Sequence, residues 1–239
     1  MGRILGSILL AAGIVLWYYG GASGITFLVN LGIGAIILGL VVAALPSRGQ
    51  VDREALFLTC ESSCEFFKKF RKDLELKGDP VVIPPYENLP KGGIFLPKSE
   101  NFSLSLGKFD EKTVFVTGTE EESGILISPP AGWALVEYFE DNAGELSGTG
   151  LGYASSAVSS GLSALGLGSA EVFETEDGKI GVFIRPLCAG PVYADPVCSA
   201  VLLGVAMGTG EVLRVESAEK VKDHVRITLE RLGGIERWL

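Results

Sequence analysis

Residues 4–45 have the sequence ILGSILLAAGIVLWYYGGASGITFLVNLGIGAIILGLVVAAL, which contains no charged side chain. Two apolar runs, at about 4–20 and 25–45, flank the glycine-rich stretch 20–24. A bilayer core about 30 Å thick requires about 20 helical residues. The pattern therefore predicts a membrane-anchored protein with a two-helix transmembrane hairpin over residues 1–48.

Basic and aromatic residues at the ends of the two runs predict how this hairpin is placed. Arg3 precedes the first run, and Arg48 and Arg53 follow the second, so the positive-inside rule places both termini in the cytoplasm, with two spans in the cell membrane. The aromatic stretch 17–19 suits the membrane interface. The alternative is a signal peptide cleaved near residues 22–24, which would leave the second run as the anchor.

Glycines recur in both apolar runs. Gly32, Gly34 and Gly39 lie in the second run, and Gly6 and Gly13 lie in the first. Small residues allow transmembrane helices to approach closely. Two interpretations stay open, close packing of the two helices on each other or ordinary small residues that face lipid.

The remainder of the chain is acidic. The formal net charge is -9 although the mean hydropathy is +0.36, because the apolar residues are concentrated in residues 4–45 and the acidic surplus lies beyond them. An acidic domain without a basic stripe argues against nucleic-acid binding. One basic cluster, Lys68, Lys69, Arg71 and Lys72, is interpreted either as a solvated helix face or as a site for anionic lipid headgroups.

Amino-acid usage gives a hint about the source. Gln50 is the only glutamine, whereas glutamate and lysine are plentiful. Such usage is typical of hyperthermophile proteins. The layout resembles that of small archaeal membrane-anchored proteins, an architectural likeness that implies no function.

Two connecting segments follow the apolar runs. Residues 49–78 carry an apolar stripe at helical spacing and predict a juxtamembrane amphipathic helix. Residues 79–100 contain five prolines and predict an extended connection over the protein surface.

Residues 101–239 predict a soluble α+β domain of antiparallel hairpins and packed helices, in the order ββα-ββα-ββ. The predicted strands are 113–117, 124–128, 171–175, 179–185, 211–216 and 224–231, and the predicted helices are 131–139 and 196–207. Val225, Ile227 and Leu229 alternate with polar residues, which predicts a sheet with one solvated face. The 196–207 helix is apolar all round and too short to span a bilayer, so we expect it in the core.

The stretch 146–170 has no charged residue and is rich in glycine and serine. Apolar residues within it keep helical spacing. It is interpreted as a flexible or weakly helical loop over the core, or as a mobile lid or a segment that dips into the membrane interface.

Four cysteines are candidates for chemistry. Cys60, Cys64, Cys188 and Cys198 together would suffice for a zinc or iron–sulfur site, but the usual close CxxC pairs are absent, so no metal site is favoured. Cys188 and Cys198 flank a proline-containing loop and form the candidate disulfide. The default is four small buried side chains.

Other motifs give weaker signals. His224 is the only histidine and is interpreted as a surface residue rather than a catalytic base. The glycine-rich stretch 148–152 lacks the lysine of a phosphate loop and the third glycine of a dinucleotide-binding loop. No catalytic set is predicted, the cofactor-binding residues stay unknown, and no cofactor is expected.

The sequence therefore predicts an uncharacterised integral membrane protein with a cytoplasmic binding or scaffolding domain, more consistent with a non-enzyme than with an enzyme. Its expected partners are the lipid bilayer and either an unknown protein or a second copy of the chain, with no nucleic acid. The alternatives are a cysteine-dependent metal or redox protein, and a small-ligand sensor in which the segment 146–170 closes over a pocket.

Overall fold

The computed structural model describes residues 2–44 and 53–239, which form two compact units, one on each side of residues 45–52. The first unit consists of helices α1 (Gly2–Ser23) and α2 (Thr26–Ala44). By length and composition α1 could cross a membrane over Gly6–Ser23, and the apolar stretch of α2, Thr26–Val42, is shorter.

Glycines mark the contact between these two helices. A Cβ atom on Gly13 would lie 2.8 Å from Cγ1 of Ile36, and one on Gly32 would lie 2.5 Å from the backbone nitrogen of Trp17. Of the two interpretations left open for the glycines, close packing of the two helices on each other therefore holds at Gly13 and Gly32, because any side chain there would separate the backbones. An added Cβ on Gly34 meets no atom within 4 Å, so this glycine does not take part.

The second unit is an α+β domain, as predicted, built on one antiparallel sheet. The strands are β1 (Val81–Ile83), β2 (Gly93–Pro97), β3 (Phe115–Val116), β4 (Gly124–Ile127), β5 (Ala170–Glu174), β6 (Ile180–Ile184), β7 (Glu211–Val221) and β8 (His224–Gly234). The helices are α3 (Arg53–Asp73), α4 (Trp133–Ala143), α5 (Leu151–Ala164) and α6 (Pro196–Thr209). The strand order is β3-β4-β2-β1-β7-β8-β6-β5, and every neighbouring pair is antiparallel.

The prediction of a surface connection over residues 79–100 is wrong. Strands β1 and β2 lie in the interior of the sheet, and Val81, Val82 and Ile83 are all fully buried. Most of the prolines stand before or after the strands or at a strand end, where a missing backbone donor does not interrupt the ladder. Proline density therefore indicated extended backbone correctly but not its burial.

Helices cover one face of the sheet. The helix α6 lies in the middle of this layer and is buried from Val197 to Gly208, as predicted for a core helix. Helix α3 covers β2 and β4, where Cys64, Ile94 and Leu96 pack in one cluster.

Helix α5 confirms the helical spacing within the segment 146–170 and corrects the interpretation of this segment as a flexible or weakly helical loop. Ala154, Val158 and Leu162 are fully buried against the neighbouring helices. Glycines of α6 allow this contact, since a Cβ on Gly204 would lie 2.8 Å from Cγ2 of Val158. The small residues of this segment, which suggested a loop in the sequence, instead allow α5 to pack closely against its neighbouring helices.

The other face of the sheet has two unlike halves. The half formed by β4, β2 and β1, which we call the covered half, packs against residues 86–89, residues 102–109 and the C-terminal residues. The half formed by β8, β6 and β5, which we call the open half, carries polar and partly exposed side chains such as Arg226 and Phe173. The predicted alternation in β8 is confirmed, because Ile227 and Leu229 are fully buried on the helix side.

Candidate functional site

Residues 185–195, which we call the cysteine loop, connect β6 to α6 and are held by one buried carboxylate. Asp195 is fully buried, and its side chain accepts hydrogen bonds from the backbone N–H groups of Leu187 at 2.5 Å, Cys188 at 2.7 Å and Cys198 at 2.8 Å. It also caps the N-terminus of α6, followed by Pro196 at the first helical position. The Asp-Pro pair was a readable capping signal for this role.

A disulfide joins the cysteine loop to helix α3. Cys64 and Cys188 are bonded, with their Cα atoms 6.5 Å apart, so the predicted pairing of Cys188 with Cys198 is wrong. Cys198 lies in the first turn of α6, where Asp195 binds its N–H group. The true partner is 124 residues away in the sequence, and only the packing of α3 on the sheet brings it close.

The disulfide is expected to raise the free energy of unfolding of the protein substantially. Closing a loop of more than one hundred residues removes chain entropy from the unfolded state and stabilises the fold by about 4–5 kcal/mol in the entropic model. Both sulfur-bearing side chains are buried, Cys64 at 1 % exposure and Cys188 at 3 %. The cysteine loop and α3 are therefore fixed to each other, and a cleft lies on each side of the loop.

The first cleft, which we call the basic cleft, has a volume of about 720 Å³. The C-terminal half of α3 and the residues after it form one wall, and residues 189–193 of the cysteine loop contribute the other. Its charged side chains are those of Lys68, Arg71, Lys72, Lys77 and Glu75. Four cations face one carboxylate, which leaves a formal excess of three positive charges in a chain of net charge -9.

Arg71 is held in place within the basic cleft. Its Nε donates to the carbonyl oxygen of Leu76 at 3.0 Å, and its Nη2 donates to that of Gly78 at 2.9 Å. The guanidinium carbon lies 6.0 Å from the ring centre of Tyr193. Burial raises the pKa of Tyr193 although the nearby Arg71 charge lowers it, so the phenol is neutral at physiological pH. Sequence analysis found Arg71 in the basic cluster but gave no signal for Tyr193, since only the fold brings the two together.

The second cleft, which we call the mixed cleft, lies on the other side of the cysteine loop and has a volume of about 700 Å³. Its charged lining residues are Glu54, Arg185, Asp195, Lys220 and Asp223, and His224 and Cys198, which is not part of the disulfide, line it as well. His224 is half-buried and stacks on Phe183, with ring centres 4.6 Å apart and planes at 10°. The predicted surface histidine therefore lines a cleft, but charges of both signs surround it and no positive excess exists there.

The structure separates the four candidate cysteines. Cys60 packs in the same apolar cluster as the disulfide formed by Cys64 and Cys188, whereas Cys198 belongs to the core under α6. Within the residues that the structure describes, no three His, Cys, Asp or Glu side chains are grouped as metal ligands. The disulfide uses two of the thiolates that the four-sulfur hypothesis requires.

The glycine-rich stretch 148–152 has its amides engaged elsewhere. The N–H of Gly148 donates to the carbonyl of Met207 at 2.9 Å, and the N–H of Gly150 donates to that of Gly208 at 2.8 Å. A phosphate loop needs such N–H groups directed at the ligand. This stretch instead ties the start of α5 to the end of α6.

Residues 4–230 match the model of a protein family that is described as a domain of unknown function, DUF7982. The chain belongs to the DUF7982 family. The match runs from α1 to β8, so the DUF7982 domain includes both compact units and both clefts. No curated protein and no solved structure matches the chain.

Proposed function

We propose that this DUF7982 protein is a membrane-tethered binding module in which α1 and α2 form a transmembrane hairpin. The supporting observation is that large apolar side chains along both helices are exposed, among them Tyr18 at 75 %, Phe27 at 72 % and Val15 at 66 %. A soluble protein rarely exposes a contiguous apolar patch of this kind, whereas a bilayer covers it. The close contact of α1 and α2 at their glycines also supports a transmembrane hairpin, because small residues allow transmembrane helices to pack on each other.

The lengths of both helices support two spans. With a rise of about 1.5 Å per residue, the 22 residues of α1 extend about 33 Å and the 19 residues of α2 extend about 28 Å. Both values are close to the thickness of the hydrocarbon core, about 30 Å. The turn at residues 24 and 25 carries no charge and suits the far side of the membrane.

The family match supports a permanent anchor. A cleaved signal peptide would remove residues up to about 24 from the mature protein. The DUF7982 model, however, begins at residue 4 and includes the whole of the first apolar run after that position.

The orientation rests on the basic residues beside the spans, Arg3, Arg48 and Arg53, which favour cytoplasmic termini. The Cys64–Cys188 disulfide favours the opposite orientation, with the α+β unit outside the cytoplasm, because disulfides persist mainly in oxidising compartments. Intracellular proteins of hyperthermophiles are the exception, and the glutamine-poor composition agrees with such a source. We therefore propose that both termini and the α+β unit lie in the cytoplasm.

The binding role is supported by the two clefts. Their volumes of about 720 and 700 Å³ lie within the range of about 300–1,000 Å³ that is usual for small-ligand sites. The buried carboxylate and the disulfide fix the loop between them. Since α5 is a packed core helix, a sensor role in this protein does not use the segment 146–170 as its lid.

Cysteine labelling of the full-length protein in intact cells tests the hairpin and its orientation. Ser23→Cys at the turn should react with a membrane-impermeant maleimide added outside, because the turn lies on the far side. The matched variant Ser47→Cys should react only after the cells are permeabilised. Wild-type protein, which contains Cys60, gives the background.

One result contradicts the cytoplasmic orientation, and another contradicts the two-span hairpin. Labelling of Ser47→Cys in intact cells would place the α+β unit outside, and an N-terminus near Ile25 in the purified protein would show signal-peptide cleavage. Flotation of the wild-type protein with vesicles after alkaline washing should accompany the expected labelling pattern, since a bilayer-spanning hairpin resists extraction.

A further inference from the structure

The basic cleft holds cations that the described part of the protein does not neutralise. The ammonium groups of Lys68, Lys72 and Lys77 form no ion pair with any described residue. Lys69, next to them in the sequence, points elsewhere and pairs with Glu65 at 3.0 Å. The fold thus divides the basic cluster of the sequence into paired and unpaired lysines.

Holding these like charges around one concave surface costs free energy that an anion in the cleft would offset. The contrast with the rest of the molecule is sharp, because carboxylates outnumber cations in the chain as a whole and also line the mixed cleft. An acidic protein that keeps three unpaired lysines beside a fixed arginine therefore has a local preference for negative ligands.

We propose that the basic cleft binds a phosphate-bearing anion, which names a ligand class for the binding role proposed above and rests on that role. A phosphate monoester carries about two negative charges and three strong acceptor oxygens near neutral pH, which matches the positive excess better than a single carboxylate does. The lysines act as point charges, and Arg71 adds a planar donor whose position is already fixed. A volume of about 720 Å³ leaves room for an organic group attached to the phosphate.

The walls of the basic cleft are fixed before any ligand arrives. The Cys64–Cys188 disulfide joins α3 to the cysteine loop. Gly190 is in close contact with α3, since an added Cβ would lie 2.7 Å from the Cβ of Cys64. Preorganised walls reduce the entropy lost on binding. Nucleic acid is not the expected ligand, because the positive excess is confined to one cleft of an acidic unit.

Pyrophosphate is the probe for this proposal. Full-length protein in phosphatidylcholine nanodiscs is titrated with pyrophosphate by calorimetry, with sodium chloride at matched ionic strength as the control for screening. The variant Lys68→Gln/Lys72→Gln should bind at least about tenfold more weakly, since each lysine removes a charge-assisted contact. The matched control Lys69→Gln lies on the same helix and should bind as the wild type does.

A second variant, Lys77→Gln, removes a cation from outside α3 and should also weaken binding. Without ligand, Lys68→Gln/Lys72→Gln and Lys77→Gln should unfold at or slightly above the wild-type temperature, because each removes an exposed ammonium ion without a partner from a group of like charges. Lys69→Gln loses only its exposed pair with Glu65 and should unfold close to the wild-type temperature. Absence of pyrophosphate binding by the wild type overturns the proposal. Equal affinity in Lys68→Gln/Lys72→Gln and Lys69→Gln overturns it as well.

Nanodisc composition distinguishes the two sources of phosphate. If a lipid headgroup occupies the cleft, adding a phosphatidylinositol phosphate weakens pyrophosphate binding more than phosphatidylserine of equal total charge does. If the ligand is soluble, both lipids have the same effect, and either outcome supports the ligand class. A protein that passes the cysteine-labelling test but binds no pyrophosphate overturns this inference alone, whereas failed labelling with intact binding overturns the proposed hairpin topology alone.

Discussion

The covered half and the open half belong to the same face of one sheet, yet they differ in burial. In the covered half Phe95 is fully buried and its ring centre lies 5.1 Å from that of Phe109. In the open half Phe173 is 44 % exposed. Strand alternation decides which side chains share a face, but the segments before and after the strands decide whether that face is buried.

The largest effect that follows from this comparison is expected for Phe95→Ala. Removing a fully buried ring leaves a cavity and should lower the free energy of unfolding by about 3–5 kcal/mol. The matched variant Phe173→Ala removes the same atoms from the open half and should cost about 1 kcal/mol or less. Urea unfolding of the full-length protein in detergent micelles, followed by near-ultraviolet circular dichroism, measures both values.

Equal losses in the two variants would mean that something also covers the open half in the intact protein. A loss below about 1.5 kcal/mol for Phe95→Ala would contradict the burial of the covered half, since volume-conserving exchanges already cost up to that amount in a core.

An intermediate effect is expected at Tyr86, which packs on the covered half. Its hydroxyl donates to the carbonyl oxygen of Leu106 at 2.8 Å. Burial, with a smaller effect of Asp110, raises the pKa of Tyr86 to about 12. Tyr86→Phe should cost about 1 kcal/mol near neutral pH, because it removes one of two hydrogen bonds to the carbonyl of Leu106, the other being donated by the N–H of Phe109.

The pH dependence of Tyr86→Phe has a definite sign. Between pH of about 10 and 12 the unfolded chain releases the phenol proton while the folded chain keeps it, so the free energy of unfolding of the wild type falls as pH rises. The free energy of unfolding of Tyr86→Phe does not fall in this way. The difference in free energy of unfolding between the wild type and the variant should therefore shrink over the same interval. Unfolding curves at neutral and alkaline pH test this, and a deficit that stays constant would show that Tyr86 ionises alike in both states.

Short-range patterns in the sequence predicted much of the fold but not its burial. The hairpin of β5 and β6 around Asp177-Gly178, the alternation in β8 and the apolar core helix were all readable because each depends on neighbouring residues. Strands β1 and β2 were missed, because their burial depends on β7 and β4, which are distant in the sequence.

The candidate site was harder to predict for the same reason. The basic cluster on α3 was visible in the sequence, but which of its cations are unpaired depends on partners such as Glu65 and on the position of Tyr193. The disulfide partner of Cys188 could not be derived from spacing, since sequence separation favours Cys198, ten residues away, over Cys64, which is 124 residues away. Only tertiary packing distinguishes such alternatives.

The smallest effect is expected for an ion pair at the border of the open half, between the residue before β6 and a residue of β7. Lys179 pairs with Glu216 at 2.7 Å, and this hydrogen bond is the main cause that raises the pKa of Lys179. Both side chains are about one-third exposed, so solvent screens the attraction. Glu216→Gln should therefore lower the midpoint of thermal unfolding by about 2 °C or less at low ionic strength. In about 1 M salt, where the Debye length is about 3 Å, the difference should vanish. If the loss were larger and persisted in salt, the pair would have to be shielded from solvent, and the open half would not be open in the intact protein.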